Sequence, residues 1–414
     1  MQRIVGRGSS TAVCRLARRL GQTPRKSARK GLPWARAFAT LAIPVTNLPI
    51  APALPPDLDT PALVIDLDIV ERNAQRVASG VAERGINLRP HVKTHKSVAL
   101  AKLQVERGAV GITVGTLGEA EVMADGGLSD IFLAYPVWAE GPKAARLRAL
   151  AERPGLRFAV GTDSVASVAQ LARAMNGSPA RLRVVIEVDP HYGRTGAAPD
   201  VAAEIGRAAV DAGFDLLGLF SHGGHAYAGG DSIARAARDE LAALAIGEEA
   251  LVAAGMAAPV LSAGSSPTAM GVLAAPVTEV RPGTYLIGDA MQVALGATPP
   301  DGVAIAVAAT VVSTAVDGQV VINAGAKSLT KDMAPYMTGY GVIPAYPHGV
   351  IERVSDYHGQ VRFPPGVPRP ALGEVVAVVP NHACPVIDLY DSFVATRSGS
   401  VVGRWPVDAR GRSG

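Results

Sequence analysis

The stretch "LRPHVKTHK", Leu88–Lys96, starts apolar and then sets two histidines and two lysines within nine residues. Its start reads as a short β-strand (88–93), and an Ala-rich amphipathic segment follows. The same unit recurs on both sides. Candidate strands are "ALVIDL" (62–67), "GITVGT" (111–116), "DIFLAYP" (130–136), "RFAVGT" (157–162), "LRVVIEVD" (182–189), "LLGLFSHGG" (216–224) and "VLSAGS" (260–265), each followed by a helical pattern. With "LRPHVK" as the second strand, eight consecutive βα units over 57–290 predict a (β/α)8 TIM barrel; a doubly wound open sheet is the competing architecture. Asp68 and Glu71 offer a capping box to the first helix, where Val70, Ala74, Val77 and Val81 share a face. Beyond about residue 290 the texture changes. "VAIAVAATVVST", "GQVVINAGA", "GVIERVS" and "EVVAVVP" are β-rich runs cut by Gly, Asp and Pro, which predicts a second, all-β domain over 291–414.

The composition narrows the function classes. The 414 residues are 48% hydrophobic and 18% charged, with material for one large core or two. No apolar run approaches the ~20 residues that span a bilayer. The net charge of +4 is uneven: Met1 to Thr40 holds ten Lys/Arg and no acid, and the remainder carries 30 basic against 36 acidic residues, a net of −6. No nucleic-acid footprint is expected from such a body. The Arg-rich, acid-free residues 1–40 read as an organelle transit peptide, with "RAFAT" (36–40) as a processing site; mitochondrion is favoured and plastid is the alternative. A disordered basic tail is the plainer reading. Residues 41–56 form a Pro-rich lead-in. Apart from Cys14 in the basic segment, Cys384 is the one thiol, so the mature chain has no intramolecular disulfide, as in a reducing compartment.

In a barrel, chemistry gathers at the C-terminal ends of the strands. Five of eight histidines fall there: His91, His95, His191, His222 and His225. "AGSSPTAM" (263–270) follows the last strand. Its Gly264, Ser265 and Ser266, before Pro267 and a helical pattern, suit either an anion site at a helix start or a plain N-cap. A phosphate site facing a lysine suggests pyridoxal phosphate, bound as a Schiff base. Lys93 is the first candidate and Lys96 the runner-up; two solvated lysines are the bland reading. In "VPNHACPVIDLYD" (379–391), His382 and Cys384 are an i, i+2 pair behind a β-run. On a strand both face one way, as ligands of an open catalytic metal do; a buried cysteine beside a capping histidine is the alternative.

These motifs, with "EVDPHYGRTG", "LFSHGGHAY" and "EVRPGTY", resemble the metal-dependent D-threonine aldolase and eukaryotic-type D-serine dehydratase family over roughly residues 55–410. The resemblance implies the alanine-racemase-like fold, a pyridoxal phosphate barrel plus a β domain. It implies Lys93 as the Schiff-base lysine, and His382 and Cys384 as ligands of a divalent metal (Mn, Mg, Co or Zn). Arg194 is implied near the cofactor's phenolic oxygen or the substrate carboxylate, Tyr227 beside the pyridine ring, and Gly264, Ser265 and Ser266 at the phosphate. His91 joins Lys93 and Arg194 as a candidate catalytic residue; Asp356 and His358 in "SDYHG" are weaker candidates. The expected partner is a small D-β-hydroxy-α-amino acid, and a homodimer is expected. The implied reaction is cleavage to glycine and an aldehyde. A dehydratase acting on D-serine or D-3-hydroxyaspartate is the alternative, and a racemase or a non-catalytic pyridoxal phosphate carrier is more distant.

Overall fold

The computed structural model describes residues 51–414. The segment read as a transit peptide (1–40), with Cys14, and most of the Pro-rich lead-in lie outside the described residues. The first run, Ala62–Asp66 (β1), leads into α1 (Leu67–Ala82). Seven further runs and one unexpected strand make the parallel sheet: β2 (Asn87–Leu88), β3 (Ile112–Val114), β4 (Asp130–Leu133), β5 (Arg157–Thr162), β6 (Arg183–Glu187), β7 (Asp215–Phe220), β8 (Val260–Ala263) and β9 (Glu279–Val280). Helices α2 (Val98–Glu106), α3 (Leu117–Asp125), α4 (Pro142–Ala151), α5 (Val165–Met175), α6 (Ala202–Asp211) and α7 (Ser232–Ala253) alternate with β2 to β8. The strand order is β2-β9-β8-β7-β6-β5-β4-β3. The ends meet where Val110 N donates to Leu88 O (2.9 Å), Thr113 N donates to Pro90 O (2.8 Å) and His91 bridges Thr113. The expected barrel is therefore present, with a separate mixed sheet from the C-terminal region.

Two expectations about its strands are corrected. "ALVIDL" is not a barrel strand. β1 lies in the middle of the second sheet, antiparallel to β10 (Ile305–Ser313), with Ala62 opposite Ala308, and parallel to β15 (Ser392–Arg397), with Val64 opposite Val394. A strand covered on both faces is apolar throughout in either sheet, so the run itself does not say which sheet it joins. The eighth barrel strand is instead β9, only two residues long and below what a pattern reveals. Every strand position shifts accordingly: Lys93 follows the first barrel strand and the Gly-Ser loop follows the seventh. The capping box is corrected too. Asp66 caps α1, accepting from the Asp68 and Ile69 amides (2.9 and 3.1 Å). Asp68 instead holds Arg397 at 3.1 Å.

The second sheet contains β1, β10, β11 (Gln319–Ile322), β12 (Val350–Val354), β13 (Gly359–Arg362), β14 (Val375–Val378), β15 and β16 (Ser400–Pro406). Short helices α8 (Ala290–Ala294), α9 (Ala326–Leu329) and α10 (Ala383–Ile387) link its parts. One continuous core joins Val70, Ala74, Val77 and Val81 of α1 to barrel and second sheet alike. Inside the barrel, Phe132, Ala159, Val185 and Phe220 make a smaller apolar layer. Beside it runs a polar column: Arg281 donates to Ser262 Oγ, Ser262 donates to Glu279 (2.7 Å), and Arg89 spans Glu279 (2.7 Å) and Asp130 (2.6 Å). Each buried charge in it has an opposite neighbour, as burial requires. Gly218 in β7 sits at φ +139° where the β6–β7 register slips, and a Cβ there would stand 2.0 Å from Val260 O. Only glycine fits.

Candidate active site

β2 ends at Leu88, and Lys93 lies not on a strand but in one 3₁₀ turn, Val92–Thr94. His91 caps that turn, its Nδ1 accepting from Lys93 N at 3.4 Å. Lys93 thus stands at the barrel mouth and donates from Nζ to Tyr135 Oη at 2.7 Å. Burial works against its charge, but Tyr135 and the Cys384 sulfur outweigh burial and raise its pKa above the ordinary lysine value. A cleft opens around Lys93 and Tyr135. His91, Lys93, Arg194, Tyr227, Gly264, Ser265 and Ser266, all proposed from sequence, line it together. His191 is exposed and outside it, and so is Asp356, which pairs with Lys327 on the surface.

Each wall follows from local geometry. Arg194 stacks on Tyr135 (5.1 Å) and Tyr192 (5.6 Å), with Glu187 at 3.9 Å. Burial pushes Glu187 up to about 7, against the opposing pull of Thr195 and Arg194. Burial, reinforced by neighbouring cations, holds His91 and His222 well below the ordinary histidine value, so both are neutral at pH 7. Burial, with Cys384 and Asp289 nearby, pushes the Tyr227 phenol up, so it stays protonated.

The Gly-Ser loop departs from expectation. Turns, not a helix, follow it, so it is no helix N-terminus. Gly264 sits at φ +79°, with Ala269 Cα 3.0 Å from where a Cβ would stand. Its amide donates to Glu240 (3.2 Å), and the Ser265 amide donates to Thr268 Oγ1 (2.9 Å). The Ser266 and Thr284 amides, at the cleft wall, donate to no protein atom among the described residues. His91 Nε2 is likewise buried without a partner. Unused donors, an orphaned imidazole nitrogen and the cations Lys93, Arg194 and Arg281 fit an anionic, phosphate-bearing ligand such as pyridoxal phosphate.

His382 and Cys384 are not on a strand. His382 is the N-cap of α10 and Cys384 lies in its first turn. The cysteine abuts the cleft: Sγ donates to Thr94 Oγ1 at 3.3 Å and lies 3.9 Å from Thr284 Oγ1. His382 Nδ1 pairs with Asp332 Oδ2 at 2.6 Å. Burial opposes the imidazolium, yet Cys384 and the flanking carboxylates hold His382 up at about 10. Burial opposes the Cys384 thiolate, but His382 outweighs it and lowers the thiol pKa. Among the described residues no three His, Cys, Asp or Glu side chains close around one point. The donor set is one nitrogen oriented by a carboxylate and one thiolate, which fits an open, catalytic type of metal site.

Sequence reasoning missed Tyr135 and Arg281. Tyr135 lies two residues past β4, at the same rim that revealed His91, and its position was the available signal. Arg281 is buried over the Phe220 ring (5.2 Å) and follows β9, the strand too short to see.

Residues 65–291 match the alanine racemase N-terminal domain family, and residues 304–396 match the putative serine dehydratase domain family. The chain is 34% identical to D-threo-3-hydroxyaspartate dehydratase of Delftia sp. (strain HT23), over 84% of this chain and 97% of that one. It superposes on the crystal structure of D-threonine aldolase from Filomicrobium marinum with a TM-score of 0.79 and 32% identity, covering 88% of this chain and 99% of that one. A cysteine-to-alanine variant of a D-threo-3-hydroxyaspartate dehydratase, solved in a metal-free form, matches with a TM-score of 0.77 and 34% identity over 84% and 97% of the two chains. The likeness thus runs through barrel and second sheet along nearly the whole length of these lyases: the chain belongs to the fold-type III pyridoxal phosphate family of D-threonine aldolases and D-3-hydroxyaspartate dehydratases.

Proposed function

We propose that this lyase is a D-threonine aldolase type of enzyme, cleaving D-β-hydroxy-α-amino acids to glycine and an aldehyde with pyridoxal phosphate and a divalent metal. The observation that carries the reading is the junction of two donor sets, where Cys384 touches Thr94 directly beside Lys93. Lys93 would hold the cofactor covalently, the Ser266 and Thr284 amides would receive its phosphate, and His382 and Cys384 would hold the ion. When bound, the cofactor would supply an electron sink at Cα and the ion a Lewis acid for the β-oxygen. Arg194 is partly exposed at the cleft wall and suits the substrate carboxylate. Neutral His91 accepts at Nδ1 from Lys93 N, so its buried Nε2 carries the proton and suits a hydrogen bond to the β-oxygen. The Lys93 amine, freed when substrate replaces it on the cofactor, would take the β-hydroxyl proton, and as the Cα–Cβ bond breaks that oxygen becomes the aldehyde carbonyl. A proton delivered to Cα completes glycine, and Lys93 is the ammonium nearest the cleft to deliver it.

Identity with the Delftia enzyme favours a second reading, dehydration to a keto acid and ammonia, which the same residues serve when hydroxide leaves instead. Incubation of the holoenzyme with D-threonine separates the two. Glycine and acetaldehyde are expected, with L-threonine untouched. Ammonia and 2-oxobutanoate without glycine would move the protein to the dehydratase branch, and equal turnover of L-threonine would overturn both. We further propose that residues 1–40 direct the protein to the mitochondrion, with plastid as the alternative. A fluorescent reporter carrying them should enter the organelle, and a diffuse reporter would refute this.

A further inference from the structure

The turn that carries Lys93 sends its side chains in several directions. Lys93 enters the cleft, and Thr94 Oγ1 meets Cys384. His95 turns into the core, with Nε2 against Gln104 (3.1 Å) and Nδ1 accepting from Ser97 N (3.1 Å). Lys96 does something else. Its backbone sits at φ +50°, the left-handed region that lysine seldom adopts. Its amide donates to Val92 O (2.8 Å) and its carbonyl accepts from Ala409 N (2.9 Å), which hold that conformation. The side chain then runs buried to Asp388, Nζ donating to Oδ1 at 2.8 Å, with Glu119 at 3.7 Å.

Asp388 is the C-cap of α10, the helix whose start carries His382 and Cys384. The segment 92–96 therefore grips α10 at both ends, through Thr94 at the first turn and Lys96 at the last. Glu119 anchors the lysine from the barrel side: it is buried in α3, and its Oε2 accepts from Gly115 N at 2.7 Å. A buried lysine held in a strained backbone by two carboxylates from different parts of the chain specifies position more than stability.

We propose that Lys96 is a positioning residue, whose pairing with Asp388 fixes the His382–Cys384 pair at a set distance from Lys93. The proposal rests on the metal reading above. Titrating metal-stripped, cofactor-loaded protein with Zn²⁺ by calorimetry tests it. Lys96→Met and Asp388→Asn should each weaken Zn²⁺ binding about 10- to 100-fold, the range for residues that orient metal ligands. The visible cofactor band should stay unchanged, and the double substitution should bind no worse than Lys96→Met alone. Where Lys96→Met fails to fold, Asp388→Asn carries the test, because it leaves Lys96 paired with Glu119. A lower melting temperature with unchanged Zn²⁺ affinity in both variants makes Lys96 merely structural and overturns the proposal alone. Wild-type protein that takes up no Zn²⁺ overturns the metal reading and the proposal with it.

Discussion

Lys93→Ala is expected to remove the visible absorbance of the purified protein and to cut turnover by on the order of 10³-fold or more, as loss of a covalent catalytic group does. Lys93 is the lysine among the cleft-lining residues; Lys96, three residues on, has its ammonium engaged by Asp388 and Glu119. Lys96→Ala should therefore keep the band. Loss of the band in Lys96→Ala with retention in Lys93→Ala would reverse the assignment. A pH dependence follows from the raised pKa of Lys93. Only the neutral amine attacks an aldehyde, and a raised pKa keeps that form scarce at neutral pH. Reloading of the apoprotein with pyridoxal phosphate should accordingly quicken as pH rises from 7 towards 9. A rate flat across that range would mean that Lys93 is already deprotonated.

His382→Ala should lower turnover about 10²- to 10³-fold while leaving the cofactor band in place. Exhaustive chelation of the wild-type protein should give the same result, with Mn²⁺, Mg²⁺, Co²⁺ or Zn²⁺ restoring activity to different degrees. The physical reason is the separation of the two donor sets. Lys93 comes from the barrel, and His382 from the N-cap of α10. Asp332→Asn should act in the same direction but less, because it removes the carboxylate behind His382 Nδ1 and not the ligand itself. Full activity after chelation would sink the metal reading and strengthen that of a racemase.

Much of this was legible in the sequence because periodicity and position carry it. The alternation of apolar runs and helical patterns marks the barrel, and the cluster at Leu88–Lys96 marks one strand end. Other parts leave no local trace. β1 looks like a barrel strand because burial on both faces erases the difference between sheets. β9 is two residues long, so Arg281 beyond it had no visible strand to belong to. His382 and Cys384 at i, i+2 face one way on a strand, yet the same spacing serves an N-cap and the first turn of a helix, and the local pattern does not distinguish them. Lys96 is legible only from contacts nearly 300 residues distant.

The placement of β1 also sets a timetable for synthesis. Its five residues are wholly buried in the finished protein, and Val64 pairs with Val394. The first partner of β1 to be made is β10, where Ile305 lies opposite Ile65, and at 5–20 residues per second a ribosome needs roughly 10–50 s to deliver it after the strand has emerged. The barrel that follows β1 has its last strand, β9, just before that. Until β10 arrives, a strand that is apolar from Ala62 to Ile65 must wait unpaired at the front of a nascent barrel, which exposes β1 to wrong pairing during synthesis.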